Sequence, residues 1–329
     1  MVAGARCLSC LAVVALSLCS ACGGGLPECM APSSCLARAH TQVSGASLVA
    51  DQGQLFWLTN DGGVYRMPVM GGDVVELVPP SDGRETCADA IALSSDSIYF
   101  ARTATIWRVP RTGGAAAQIV GTDTPRECNT AIVVDSGFLY WVSAKAIFSQ
   151  PLDGGAVATL ADVTKQYRPE IRMANGRVYW GVDSLTPFGT SDDLAGNLGV
   201  WSVPVSGGPA TRIIANDGSR MIAVDGDHIY FGADGGIHAA GVDGGGDQLL
   251  LTGGGLWTQK DDRHFYWADQ SRSGLEPSIV AATVSSGAIT TLIRDGFFDS
   301  MTEDDSALYY SRVGSSVGDV IVRLPKPVD

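Results

Sequence analysis

The side chains able to do chemistry in this 329-residue chain fall into a few groups. Four histidines, His40, His228, His238 and His264, form no His-Glu-x-x-His pair, and neither a Gly-x-Ser-x-Gly elbow nor a phosphate-cradling glycine loop occurs. His228 and His264 each stand three residues before an aromatic that closes a strand-like segment, which reads as a surface position just after a turn. No cofactor motif is present, and a zinc site lacks both short ligand spacing and a matching histidine pair, so neither cofactor nor metal is expected. The most suggestive ionisable pair is Glu170 and Arg172. Two positions apart on a strand they point the same way, either satisfying each other in a wet channel or contacting a ligand.

What must position these groups is a repeat. A hydrophobic-aromatic-aromatic triplet occurs seven times: Leu55-Phe56-Trp57, Ile98-Tyr99-Phe100, Leu139-Tyr140-Trp141, Val178-Tyr179-Trp180, Ile229-Tyr230-Phe231, Phe265-Tyr266-Trp267 and Leu308-Tyr309-Tyr310. Their last aromatics are 43, 41, 39, 51, 36 and 43 residues apart. A period of about 42 suits four short strands per unit, as in a β-propeller blade. Each unit runs through an alternating strand, a turn on Asp, Asn or Ser, the aromatic strand, a third strand and a Gly-Gly turn into a fourth. Val64-Tyr65-Arg66-Met67-Pro68 before Gly71-Gly72 and Ile106-Trp107-Arg108-Val109-Pro110 before Gly113-Gly114 show the third strand and its turn. The triplets are expected to be core, because a second strand wedged between neighbouring blades fills its gaps with flat side chains. The seventh unit ends at Leu324-Pro325 without a fourth strand, and the segment Leu36 to Val43 has the alternation to supply it and close the ring. The fold expected is all-β, a seven-bladed β-propeller of four-stranded blades over residues 36–329.

The N-terminus has the three parts of a secretion signal: Arg6, an apolar stretch from Leu8 to Leu18, then small residues. Cys19-Ser20-Ala21-Cys22 resembles a bacterial lipobox, which implies cleavage after residue 21 and lipidation of Cys22; an ordinary signal cleaved near Ala21, or a cut before Cys19, are the alternatives. Several acyl chains would hold the protein on a membrane, each buried methylene contributing about 0.8 kcal/mol. Residues 1–21 are then a signal peptide and 22–35 a flexible tether beginning Gly23-Gly24-Gly25. The resemblance further implies an outer-membrane or surface position, since Gly23 is not the Asp associated with inner-membrane retention.

The chain carries 22 basic and 35 acidic residues, a formal net of −13, which becomes −14 once Arg6 leaves with the signal. Phosphate binding needs clustered Lys and Arg, so no nucleic acid is expected as a partner. Beyond the anchor four cysteines remain. Cys87 and Cys128 each lie 13 residues before the last aromatic of their units and follow Arg84-Glu85 and Arg126-Glu127. Equivalent positions in adjacent blades approach closely and an exported chain meets oxidising conditions, so a Cys87–Cys128 disulfide is expected, with Cys29–Cys35 left by elimination; four cysteines allow three pairings.

A strand ending Leu139-Tyr140-Trp141 followed by Pro151-Leu152-Asp153-Gly154 resembles the Tyr-Trp-Thr-Asp (YWTD) propellers of the low-density-lipoprotein-receptor type and their bacterial relatives, over roughly residues 45 to 325. In place of Thr-Asp, Trp57 is followed by Leu58-Thr59-Asn60 and Trp141 by Val142-Ser143. The resemblance implies a ring used mainly for protein binding.

In such a ring the loops entering the innermost strands share one face with those joining second to third strands. They carry Arg84, Glu85 and Asp89 in the second unit, Arg126, Glu127 and Asn129 in the third, and Tyr167, Arg168, Glu170 and Arg172 in the fourth. Arg220 stands in the fifth, Trp257 in the sixth, and Phe297, Phe298 and Asp299 in the seventh. Innermost strands elsewhere offer small residues, Ser47, Ala90, Ala131 and Ala223, to the channel. The longest insertions, Asp183 to Asn197 and Asp269 to Ser278, belong to the same face, where binding usually resides. The function expected is a lipid-anchored binding or scaffold protein of the cell envelope engaging a protein or glycan. The alternative is a propeller enzyme of the streptogramin-lyase or lactonase type, which needs a histidine or several carboxylates, drawn from Glu85, Asp89, Glu127, Glu170 and Asp299, converging at the channel mouth.

Overall fold

The structure, a computed structural model, describes residues 34–38, 43–81, 90–102, 105–120, 131–143, 145–163, 170–182, 198–215, 220–254, 256–269, 277–294, 298–312 and 319–327. Their regular structure is entirely β. After β1 (Ser34–Arg38), blade 1 comprises β2 (Val43–Asp51), β3 (Gln54–Thr59), β4 (Val64–Pro68) and β5 (Val75–Val78). Blade 2 is β6 (Ile91–Leu93), β7 (Ser97–Arg102), β8 (Thr105–Pro110) and β9 (Ala117–Val120); blade 3 is β10 (Ala131–Asp135), β11 (Phe138–Val142), β12 (Ala146–Pro151) and β13 (Ala158–Asp162). Blade 4 is β14 (Ile171–Ala174), β15 (Arg177–Val182), β16 (Gly199–Pro204) and β17 (Thr211–Ile214); blade 5 is β18 (Arg220–Asp225), β19 (His228–Ala233), β20 (Gly236–Gly241) and β21 (Gln248–Thr252). Blade 6 is β22 (Leu256–Lys260), β23 (His264–Asp269), β24 (Ser278–Thr283) and β25 (Ile289–Arg294). Blade 7 takes β26 (Phe298–Glu303), β27 (Ala307–Arg312) and β28 (Val320–Pro325), and its sheet order is β1-β28-β27-β26. The strands β2, β6, β10, β14, β18, β22 and β26 each contact the next, and β26 contacts β2, so the seven antiparallel sheets close into a ring.

The triplets explain why the blades stack. All twenty-one residues are buried, because the second strand of each blade has a neighbouring blade on both faces. Side chains alternate across a strand, so the middle aromatic faces one neighbour and its two flanking residues face the other. Phe56 packs with Ile98 and Phe100, Tyr99 with Leu139 and Trp141, and Tyr140 with Val178 and Trp180. Tyr179 meets Ile229 and Phe231, Tyr230 meets Phe265 and Trp267, and Tyr266 meets Leu308 and Tyr310. Tyr309 then packs with Leu55 and Trp57, which returns the pattern to blade 1. Seven inter-blade cores follow from one three-residue rule.

The outermost strands show a second periodicity that the triplets do not reveal. In every blade the register between third and fourth strands skips one residue at the same place, as where Val64 opposes Val78 while Tyr65 opposes Glu76. The skipped residues are Leu77, Ile119, Leu160, Ile213, Leu250 and Leu292. In β1, which pairs with β28, Leu36 is skipped in the same way between Cys35 opposite Val322 and Ala37 opposite Ile321. The N-terminal strand is therefore a full fourth strand with the same bulge as the others. The expected segment is shifted, since Val43 begins the innermost strand β2. Asp319 fastens the closure: its Oδ2 accepts the Val43 N–H at 2.9 Å in a buried bond.

The two ends of the ring differ. At the turns joining first to second strands, three cations, one each from blades 2, 6 and 7, clasp the preceding blade. Arg111 pairs with Asp51 and lies 4.9 Å from the Phe56 ring centroid. Lys260 Nζ is 2.8 Å from Asp225 Oδ2 and 4.5 Å from the Tyr230 ring; Lys326 Nζ is 2.8 Å from Asp261 Oδ2 and 5.4 Å from the Tyr266 ring. Each caps a middle aromatic of a triplet, combining an ion pair with a cation–π contact. The long insertions leave from the other end.

Candidate functional site: the channel mouth

Innermost strands start at the end opposite the clasps, so their first residues ring the mouth of the channel. Glu170, immediately before β14, and Arg172 within it lie side by side, with Arg172 Nη2 donating to Glu170 Oε2 at 3.2 Å. Arg172 also crosses to the next blade, where its Nε donates to the Ile222 carbonyl at 3.1 Å, and its Nη1 donates to the Ile171 carbonyl at 3.1 Å. Its three nitrogens are thereby committed. Arg220 opens β18 and reaches the same carboxylate from the adjacent blade, Nη2 to Oε1 at 3.6 Å. One carboxylate is thus shared by two guanidiniums, a local excess of one positive charge in an acidic chain.

These three residues line a cavity of about 240 Å³ in the channel. Ala90 and Ala131 line it too, as the sequence suggests, but Ser47 is fully buried and Ala223 packs against the core between blades 5 and 6. Thr258, Gln259, Met301 and Thr302 complete the wall. Gln259 Nε2 donates to the Met301 carbonyl at 3.2 Å, linking blades 6 and 7, and the Thr302 hydroxyl accepts the Ala50 N–H at 3.3 Å. Sequence reasoning passed over these four because neutral side chains in no motif announce themselves only by their place in the innermost strand.

Phe298 is a correction. It is 2 % exposed and sits edge-on to Tyr310, with ring centroids 5.1 Å apart, in the core between blades 6 and 7, so it offers nothing to the binding face. The cause is a register shift between Phe298 and Ser300, which turns Phe298 inward where unbroken alternation would turn it elsewhere. His264 is likewise buried, with its backbone N–H donating to the Asp261 carboxylate at 2.7 Å, whereas His228 is exposed as expected. Asp299 is half-buried on β26, and Trp257 lies on β22.

Arg84, Glu85, Asp89, Arg126, Glu127, Asn129, Tyr167, Arg168 and Phe297 lie outside the described residues, as do Cys22, Cys29, Cys87 and Cys128. Cys35 is disulfide-bonded. The strand ends flanking 82–89, 121–130, 164–169 and 183–197 are all at the mouth end of the ring, as the alternation of turns in an antiparallel meander requires. Among the described residues, no three His, Cys, Asp or Glu side chains are grouped so as to hold a metal ion. Of the five carboxylates weighed for catalysis two are described, and Glu170 faces arginines.

No family model matches the sequence, and no curated protein matches it. Solved structures do. An oligogalacturonate lyase from Vibrio parahaemolyticus is 9 % identical with a TM-score of 0.66, over 88 % of this chain and 91 % of that one. An oligogalacturonate lyase in complex with manganese is 14 % identical with a TM-score of 0.63, over 90 % and 91 %. The WD40 β-propeller domain of Doa1 is 12 % identical with a TM-score of 0.61, over 89 % and 97 %. At these identities the likeness shows the fold alone: the chain is a seven-bladed β-propeller.

Proposed function

We propose that this protein is a non-enzymatic binding or scaffold module, held at the cell envelope by a lipid on Cys22 and engaging a protein or glycan with the mouth-side face of its propeller. The observation that carries the reading is the commitment of Glu170 to Arg172 and Arg220. A general acid or base faces its substrate, and a catalytic dyad sets carboxylates or a histidine against one another; here the carboxylate is neutralised and the arginines are oriented. Support also comes from the division of labour between the ends of the ring, with ion-pair clasps at one and the insertion 183–197 at the other. The likeness of the repeats to YWTD propellers favours a protein partner. The lyase activity named for two of the similar structures belongs to those proteins.

Capture of partners from membranes with the full chain, and with a chain lacking 183–197, tests this reading. A partner retained by the first and lost by the second is expected; identical capture by both would overturn the face. The anchor has its own test. Cys22→Ser should move the protein from the membrane fraction to the soluble one, and no change would remove the lipid from the account.

A further inference from the structure

We infer that the N-terminal tether holds the domain by its clasp end, so that the mouth-side face looks away from the anchoring bilayer and takes a partner presented from the aqueous side. The inference rests on the anchored binding module proposed above and adds which way that module faces. Its basis is the direction of β1. β28 starts at the mouth end, with Val320 opposite the last residue of β27, Arg312. It finishes at the clasp end, where the Lys326 N–H donates at 3.1 Å to the carbonyl of Ser306, in the turn between β26 and β27. β1 is antiparallel to β28, with Ser34 opposite Arg323 and Arg38 opposite Val320, so the chain enters the ring at the clasp end and climbs towards the mouth. The entry point is held by packing: Cys35 lies against the core between blades 6 and 7, and Leu36 Cδ2 covers the Gly71 turn of blade 1.

Cys22 and Ser34 are twelve residues apart. A tether of that length spans about 20 Å on average, and a blade of six-residue strands is about 20 Å tall. With the clasp end down, the lipid reaches the bilayer at the tether's ordinary span. With the mouth down, the tether doubles back along the rim of blade 7 and is drawn out towards its limit of about 40 Å, which gives up chain entropy. Charge does not reverse the choice. Carboxylates stand at both ends, Asp96, Asp135 and Asp304 in the clasp-side turns and Glu170 and Asp299 at the mouth, so an anionic bilayer repels either face. Screening over about 8 Å leaves little of that repulsion on a domain held about 20 Å away. The face flanking 183–197 then stands about 40 Å from the bilayer, tether and blade together, beyond lipid headgroups and proteins flush with them.

The test is energy transfer from a dye on the lipidated full chain to headgroup-labelled lipid in phosphatidylethanolamine–phosphatidylglycerol vesicles. The dye is attached through p-azidophenylalanine at one exposed position at a time: Asp153 at the clasp end and Lys145 at the mouth end of blade 3, and Ser285 and Arg294 at the same two ends of blade 6, three blades away. Transfer from Asp153 and Ser285 should exceed transfer from Lys145 and Arg294 at least about twofold, because the two ends of a blade differ by about 20 Å in distance from the acceptors. Inserting about 24 Gly and Ser residues after Gly25 should remove most of that contrast by freeing the domain to turn. Equal transfer from the two ends of each blade, as an edge-on domain gives, or the reverse order, would overturn the orientation while leaving the anchor standing. A contrast untouched by the longer tether would overturn the tether as its cause. A chain that stays in solution transfers from no position, which removes the anchor and the orientation with it.

Discussion

Asp261 joins two blades through one side chain. Its Oδ2 accepts Lys326 Nζ at 2.8 Å and the Tyr266 hydroxyl at 3.0 Å, and its Oδ1 accepts the N–H groups of Arg263 and His264 at 2.8 and 2.7 Å. Burial alone pushes its pKa up, but these donors outweigh burial and bring it down to about 2. Lys326 is held protonated by Asp261 and Glu303, which overcome the opposing effect of burial. Glu303, more deeply buried and close to Asp261 and Asp304, is raised despite its bond to Lys326. For Asp261 the folded value lies below the unfolded one, so its contribution is complete above pH about 4 and is lost as pH falls towards 2. A depression of this size corresponds to about 2 kcal/mol. Denaturant unfolding of the native chain and of Asp261→Asn at pH 5, 3 and 2 should show their stability difference shrinking on acidification; a constant difference would refute the linkage.

The outer strand of each blade carries one bulged Leu or Ile, and at the first two Gly-Gly turns that residue of the preceding blade packs against the first glycine. A β-carbon on Gly71 would lie 3.6 Å from Leu36 Cδ2, and one on Gly113 would lie 3.5 Å from Leu77 Cδ2, in each case the bulged residue of the preceding blade. Backbone conformation asks for glycine at the same places, with φ of 89° and 91°. Gly199 in β16 is the most constrained: φ is 126°, and a β-carbon would stand 2.0 Å from the Ile214 carbonyl oxygen across the bulge. Gly199→Ala should therefore destabilise blade 4 by about 3 kcal/mol or more, read in a denaturant titration, combining backbone strain with a forced separation of β16 and β17. Trp141, stacked on Phe148 with centroids 5.4 Å apart, is a matching case in the second strands. Trp141→Ala should cost about 3–5 kcal/mol in the same experiment while partner capture by the folded fraction persists.

At the scale of the molecule, stability depends on joining the two ends of the chain. Without β1, β28 would present an unpaired edge, and the bulged Leu36 would leave the Gly71 turn uncovered. A chain beginning at residue 39 should melt earlier and self-associate through that edge, seen as oligomers in light scattering; a monodisperse monomer of unchanged melting temperature would contradict it. Closure also fixes the channel. Because every innermost strand is pinned between two others, the guanidiniums of Arg172 and Arg220 are brought from separate blades to one carboxylate, which no single blade could do.

The sequence alone determined the ring: seven aromatic triplets at a forty-odd-residue period, a truncated last unit and a strand-like N-terminal segment with nowhere else to pair. These are local signals, each fixed by the alternation of a single strand. The sharing of Glu170 was legible only as far as Arg172, two residues away on the same strand; Arg220 lies fifty residues on and meets it only after two blades have stacked. Phe298 shows the opposite limit, since one skipped residue reverses the face of a strand and nothing in its own sequence announces the skip. Which loops and strand ends surround the mouth therefore followed from topology, whereas which side chains meet there was decided by register and inter-blade packing, and these exist only when all seven sheets are assembled.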